Sequence, residues 1–220
     1  MRMTNIASLT STGGRYDCDW KAYLLDSYNF AEFQAGAFVL DIGCGEGEQL
    51  QELERRGCLS VGIEPMWQLV THCRVQGLRV LQAIGEQIPL KDESCDGLIC
   101  KGVIPYTNEA RALGEVGRLL KPGAIAHLLY LGAGYYLRYL LCALSWKYRV
   151  YGLKTLLNTW FYITTGRRLP SFFGDTIYQS HERLRKYYTE YGVRLIRETN
   201  TPTFLGFPVI IYHSIQKVTD

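Results

Sequence analysis

Three observations predict a doubly wound α/β fold for this chain of 220 residues. An apolar run over 38–42 feeds a loop with glycine at three alternate positions, Gly43, Gly45 and Gly47, and a helical pattern over 48–56 follows at once. A second apolar run ends on an acid, Glu64, 21 residues after Gly43. Beyond it, short strand patterns and one-sided helical patterns alternate up to Tyr130. That alternation is what a mostly parallel sheet covered by helices on both faces requires.

Each element follows from local residue choice. The apolar run before Gly43, interrupted only by Asp41, suits a strand buried on both faces. The glycines permit positive φ and let a ligand lie against bare backbone. Helix 48–56 stops at Gly57, a C-cap glycine. The strand 60–65 carries Glu64 at its carboxyl end, where an acid can accept hydrogen bonds from both hydroxyls of a ribose. Helix 66–76 leads to strand 79–83, and Asp96 opens strand 97–100. The loop 101–106 then lies at the carboxyl edge of the sheet, where open α/β folds hold ligands, and Pro105 stiffens it. Helix 108–120 carries Leu113, Val116, Leu119 and Leu120 as one stripe. Lys121-Pro122-Gly123 turns it into strand 124–130, in which His127, flanked by aliphatic residues, reads as structural. Ser180 suits an N-cap for helix 181–191, which ends at Gly192 before strand 193–197. The last strand, 207–215, is expected to be antiparallel, at the sheet centre or edge.

The glycine loop points to a ligand class. A dinucleotide fingerprint needs its third glycine where this chain has Glu48, and a phosphate-cradling loop needs a terminal Lys-Ser/Thr that is missing. Asp41, Glu46 and Glu48 make the loop acidic, and a pyrophosphate at a helix N-terminus wants donors without neighbouring carboxylates. Carboxylates suit a ligand with cationic groups; S-adenosylmethionine has an α-ammonium and a sulfonium. Asp41 is expected to act through the loop amides and a water or that ammonium.

Val39-Leu40-Asp41-Ile42-Gly43-Cys44-Gly45-Glu46-Gly47 resembles motif I of the class I S-adenosylmethionine-dependent methyltransferases. Later segments look most like the small-molecule type of ubiquinone and menaquinone biosynthesis, well over 35–131 and more loosely over 178–217. The resemblance implies a seven-stranded sheet and a set of cofactor contacts. These are the loop residues Asp41, Gly43, Cys44 and Gly45; Glu64 and Pro65 at the ribose; Ile84, Gly85 and Glu86 around the adenine; and Lys101 and Gly102 at the methionine end. The family often has Asp where this chain has Ile84, so here either the backbone reads the base or Glu86 substitutes. The cofactor expected is S-adenosyl-L-methionine, with S-adenosyl-L-homocysteine as product.

Composition bounds the rest. Seven scattered cysteines with no Cys-x-x-Cys argue against a disulfide framework or a metal site and for a reducing cytoplasm. No signal-peptide pattern and no apolar run of membrane-spanning length is found. Residues 1–30 read as a polar leader (1–14) and a cap helix, with Tyr16, Trp20, Tyr23, Leu24 and Tyr28 at helical spacing, and 31–220 as the methyltransferase domain. In the family such a helix lies over the cofactor mouth, where Arg15 or Tyr16 could meet the methionine carboxylate.

Charge is uneven. Residues 134–197 hold eleven Lys/Arg against three Asp/Glu, and the remainder thirteen against eighteen. The stretch 134–177, rich in tyrosine, leucine and tryptophan, corresponds to the helical lid that the family places over its acceptor site. Three readings of it stay open: a pocket for a hydrophobic or aromatic acceptor lined by Tyr135, Tyr136 and Tyr178; a peripheral membrane contact through 134–168; and a homodimer interface or simple packing. Nucleic acid is not expected, because aliphatic residues dilute the basic ones and no binding module is present. His181 is the candidate general base, against an exposed histidine with no role, and Tyr106 a substrate-facing hydroxyl, against a core tyrosine. Two rivals to methyl transfer remain: a regulatory protein that binds the cofactor without transfer, and a nicotinamide oxidoreductase.

Overall fold

The computed structural model describes residues 32–170, 174, 176–200 and 202–219. The expected leader and cap helix, with Arg15 and Tyr16, lie outside the described residues. The elements run β1 (Phe38–Ile42), α1 (Glu48–Arg55), β2 (Leu59–Glu64), α2 (Trp67–Val75), β3 (Val80–Gln82), β4 (Cys95–Lys101), a 3-10 turn (Ile104–Tyr106), α3 (Glu109–Leu119) and β5 (Leu120–Leu131). They continue with α4 (Ala133–Cys142), α5 (Trp146–Thr165), α6 (His181–Glu190), β6 (Val193–Asn200), β7 (Thr203–Phe204), β8 (Phe207–Pro208) and β9 (Ile210–Lys217).

Seven strands form one sheet in the order β3-β2-β1-β4-β5-β9-β6. The first five run parallel, and β9 lies between β5 and β6, antiparallel to both. The last strand is therefore internal. The chain winds outward in one direction from β1 through β2 to β3, then in the other from β4 to β5. The carboxyl ends of β1 and β4 flank the reversal, which is where this architecture opens a crevice. Leu40, Ile42, Leu98 and Cys100 of these two strands are buried in a cluster that takes in Leu113, Val116 and Leu119 of α3 and Leu184 and Tyr188 of α6.

Three of the boundary shifts have a visible cause. Helix 108–120 begins one residue later because Asn108 is its N-cap, accepting from the Arg111 amide at 3.2 Å. Strand 124–130 starts at Leu120, because Leu120 pairs with Cys95 and the Lys121 ammonium sits 2.6 Å from Asp96. Strand 207–215 divides into β8 and β9, and β8 closes a small hairpin with β7. Its turn uses positive φ at both Leu205 and Gly206, as a tight two-residue hairpin needs. Leucine is not a residue that advertises that turn.

The stretch 134–177 holds α4 and α5, and Gly152 lets the two helices meet backbone to backbone, where a Cβ would crowd the Tyr136 carbonyl. α5 buries a polar face of Gly152, Thr155, Asn158 and Thr159. Those side chains hold the irregular return segment. Asn158 donates to the carbonyls of Gly174 and Thr176, both at 3.0 Å, and accepts from the Leu169 amide at 2.8 Å. Thr159 accepts from the Tyr178 amide at 3.0 Å.

Candidate functional site

The glycine loop is clamped onto β2. The amides of Gly43 and Cys44 donate to the Ile63 carbonyl at 2.7 and 3.1 Å, and Gly47 closes the turn onto Cys44 at 2.9 Å. Gly43 adopts φ +75°, and a Cβ there would overlap Val103 of the loop after β4. Gly45, at φ +54°, faces open space instead. Only hydrogen stands between its backbone and an approaching ligand. Cys44 is buried against Gly62, and burial pushes its thiol well above the usual range, so it packs rather than reacts.

Glu64 braces this loop from β2. One carboxylate oxygen accepts the Gly45 amide at 3.1 Å and the other the Met66 amide at 3.0 Å. A carboxylate offers about four lone-pair sites, so two remain for ribose hydroxyls. Pro65 follows at the rim, its carbonyl accepting from Gln82 at 3.2 Å.

Asp41 is buried, and its Oδ2 has no hydrogen-bond partner among the described residues. Burial raises its pKa to about 7, opposed by Lys101 and reinforced by Glu64. Lys101, at the end of β4, is lowered to about 8 by burial, with Asp41 pulling the other way. Gly102 follows with φ +67° and open space at its Cβ. A carboxylate so desolvated has an unmet demand for positive charge or donors.

The stretch after β3 is the one expected around the adenine. Ile84 is 46% exposed, and the Gln87 amide donates to its carbonyl at 3.2 Å. Gly85 is buried against Ile42. Glu86, the alternative reader of adenine, accepts the Asn108 amide on Oε1 at 2.8 Å, at the start of α3, and its Oε2 is left for a ligand.

Tyr106, Tyr135 and Tyr136 come together with Tyr139 and Tyr151 from the helical pair. The hydroxyls of Tyr106 and Tyr151 are 3.4 Å apart, those of Tyr135 and Tyr139 3.0 Å. Tyr136 is fully buried with its hydroxyl unpartnered, edge-on to Tyr135 and tilted against Tyr151. Burial holds the phenols of Tyr106, Tyr135 and Tyr136 well above their ordinary pKa. Tyr106 therefore keeps its proton and can orient a ligand but not deprotonate one. Tyr178 is tied by its backbone, the amide to Thr159 and the carbonyl to the Arg183 guanidinium.

His181 opens α6 and faces β6 and β9. Its Nδ1 lies 2.9 Å from His213 Nε2 and 3.2 Å from Glu198 Oε1. His213 Nδ1 continues to the Tyr188 hydroxyl at 2.7 Å, and Tyr188 to Tyr130 at 2.8 Å. His181 Nε2 is hidden from solvent and unpartnered. Sequence reasoning missed this chain of contacts, since its members are scattered from 130 to 213. His127, read as structural, pairs with Ser214 at 3.1 Å and packs edge-on to Phe33. Glu109, also unnoticed, is fully buried and receives Arg183 at 2.6 Å and the Tyr187 hydroxyl at 3.2 Å. Tyr187 meets Tyr162 of α5 at 3.2 Å, which fastens the helical pair to α6.

Residues 40–128 match the family model of the methyltransferase domain. Over these residues the chain is similar to S-adenosylmethionine-dependent methyltransferases. An uncharacterized methyltransferase of Mycobacterium tuberculosis is 29% identical to it over 125 residues, 56% of this chain and 51% of the relative. The mouse tRNA (carboxymethyluridine(34)-5-O)-methyltransferase is 36% identical over 103 residues, 45% of this chain and 15% of that protein. The chain thus spans about half the length, or less, of these curated relatives. An S-adenosylmethionine-dependent methyltransferase of Mesorhizobium loti shares the fold, with a TM-score of 0.66 at 14% identity over 90% of this chain and 97% of that one. The residues at this site fit the cofactor that the similarity implies. Asp41 presents an unmatched buried carboxylate oxygen, Gly45 and Gly102 leave open space against the backbone, and Glu64 has lone pairs to spare.

Proposed function

We propose that this chain transfers the methyl group of S-adenosylmethionine to an oxygen, nitrogen or carbon of a small apolar or aromatic acceptor. The observation that carries the reading is the tyrosine cluster. It joins Tyr106, which follows the cofactor-side strand β4, to Tyr135, Tyr136, Tyr139 and Tyr151 of the helical pair. Such a wall offers ring faces for an apolar body and hydroxyls for one polar end. The cofactor, when bound, supplies a methyl carbon already activated by its sulfonium. What remains for the protein is to orient the acceptor and exclude water. Where the acceptor must lose a proton, we assign that step to His181. Its Nδ1 is held between His213 at 2.9 Å and Glu198 at 3.2 Å, so Nε2 would be the nitrogen that accepts the proton.

A tRNA acceptor is the second reading, favoured by the named activity of the mouse relative and by the basic character of 134–197. One assay separates the two. The full chain is incubated with methyl-labelled S-adenosylmethionine and cell extract, and label is followed into organic solvent, aqueous metabolites and RNA. The proposal expects label in the organic or small-metabolite fraction. Label in RNA alone would replace it with the second reading. Cofactor binding without label in any fraction, across extracts of several sources, would favour a binding-only protein.

A further inference from the structure

α5 is built inside out for a helix in water. The side it turns to the protein is polar, with Thr155, Asn158 and Thr159 buried. The side it turns outward is apolar. Trp146 is 69% exposed and Trp160 65%, with Val150, Leu153 and Leu157 exposed between them. At about 100° per residue these five side chains fall within an arc of about 80°. They make one ridge about 21 Å long, at 1.5 Å per residue, with a tryptophan at each end. Leu141 and Leu144, the latter 83% exposed, continue apolar surface from the end of α4. A surface helix ordinarily shows the reverse arrangement, and an apolar patch of this extent marks a partner.

Charge says which partner. Lys147 and Arg149 are exposed beside the ridge, and Lys154 lies half-buried along it. Arg138, Arg167 and Arg168 bring the basic residues of 134–168 to six, and no Asp or Glu occurs anywhere between Glu115 and Asp175. Two copies of this face would set the exposed Lys147 and Arg149 of one against those of the other, which disfavours a second copy of the chain. A bilayer with anionic headgroups answers both features. Tryptophans belong at the interface between headgroup and hydrocarbon, and lysine and arginine stems lie on apolar surface while their charges stay among the headgroups. Among the described residues no helix is long and apolar enough to cross a membrane.

We infer that the outer face of α5, from Trp146 to Trp160, docks the protein flat on an anionic lipid surface. Docking goes beyond the proposed acceptor and does not depend on it. It would place the tyrosine cluster, held by the same two helices, close to a lipid-dissolved acceptor.

The test is sedimentation of the full chain with vesicles, cofactor and acceptor being absent so that failure leaves the transfer reading untouched. Phosphatidylcholine vesicles are compared with vesicles that also contain phosphatidylglycerol. The protein should pellet with the mixed vesicles and stay in solution with the neutral ones, and added salt should release it. Trp160→Ser and Trp146→Ser, both on exposed positions, should each cut partitioning about tenfold. Lys147→Gln should cut it about fivefold. The helix content of every variant is checked by circular dichroism. Folded protein that ignores mixed vesicles would overturn the inference. So would partitioning that Trp160→Ser leaves unchanged. A doubled mass in light scattering that Trp160→Ser abolishes, with no vesicle binding, would assign the face to a second copy instead.

Discussion

Asp41 and Glu64 divide the work of the cofactor loop, and each has its own measurable consequence. Glu64 accepts amides from both loops it touches, so it braces the protein before any ligand arrives. Glu64→Ala should therefore lower the melting temperature without ligand, by about 1–3 kcal/mol of stability, and weaken S-adenosylmethionine binding as well. A variant that melts like wild type would remove the bracing role. Asp41 makes no such contacts through Oδ2, so Asp41→Asn should spare stability and weaken binding about tenfold or more. Its pKa of about 7 gives the direction with pH. A cation bound beside it favours the ionised form, so binding expels a proton below about pH 7. Affinity should rise from the ordinary carboxylate range up to about pH 7 and then level off. His181→Ala should slow turnover while cofactor affinity holds; an unaltered rate would take it out of the chemistry. These acids were legible because the chemistry of a strand-end acid and a glycine loop is local. Glu86 was not, since the amide it captures belongs to Asn108, 22 residues away. The contact of His181 with His213 was hidden for the same reason.

At the scale of elements, the helical pair is held by side chains that a periodicity reading treats as noise. Asn158 fills all three of its bonds with backbone groups of the return segment. Asn158→Ala should strand these buried groups, cost about 2–3 kcal/mol and open the segment 166–180 to limited proteolysis. Resistance equal to wild type would show the segment is held elsewhere. The sequence did show two apolar, basic helices here. It did not show which side faces inward, because apolar residues toward the core is the default assumption, and α5 breaks it. Strand boundaries slipped where tertiary partners took over, as when Leu120 paired with Cys95.

For the whole molecule, the parallel half of the sheet was readable because each βα unit announces itself, whereas the β7–β8 hairpin has leucine at the first of its two turn positions. A buried histidine, His213, and a half-buried one, His127, tie the global fold to pH. Burial lowers His127 and His213 to about 4, below the ordinary value of 6.5. Between those values the unfolded chain binds more protons, so their contribution is complete above about pH 6.5 and is lost as pH falls towards 4. The melting temperature should fall over that window, and His127→Gln with His213→Gln should flatten the fall; an unflattened curve would place the effect elsewhere. The central claim is that the acidic loop receives a cationic cofactor at Asp41. Calorimetric titration with S-adenosylmethionine near pH 6, in two buffers of different ionisation enthalpy, tests it most directly. The account predicts saturable one-to-one binding whose heat differs between the buffers by the expulsion of a proton, a difference that Asp41→Asn abolishes. No binding, or binding whose heat is the same in both buffers, would contradict it.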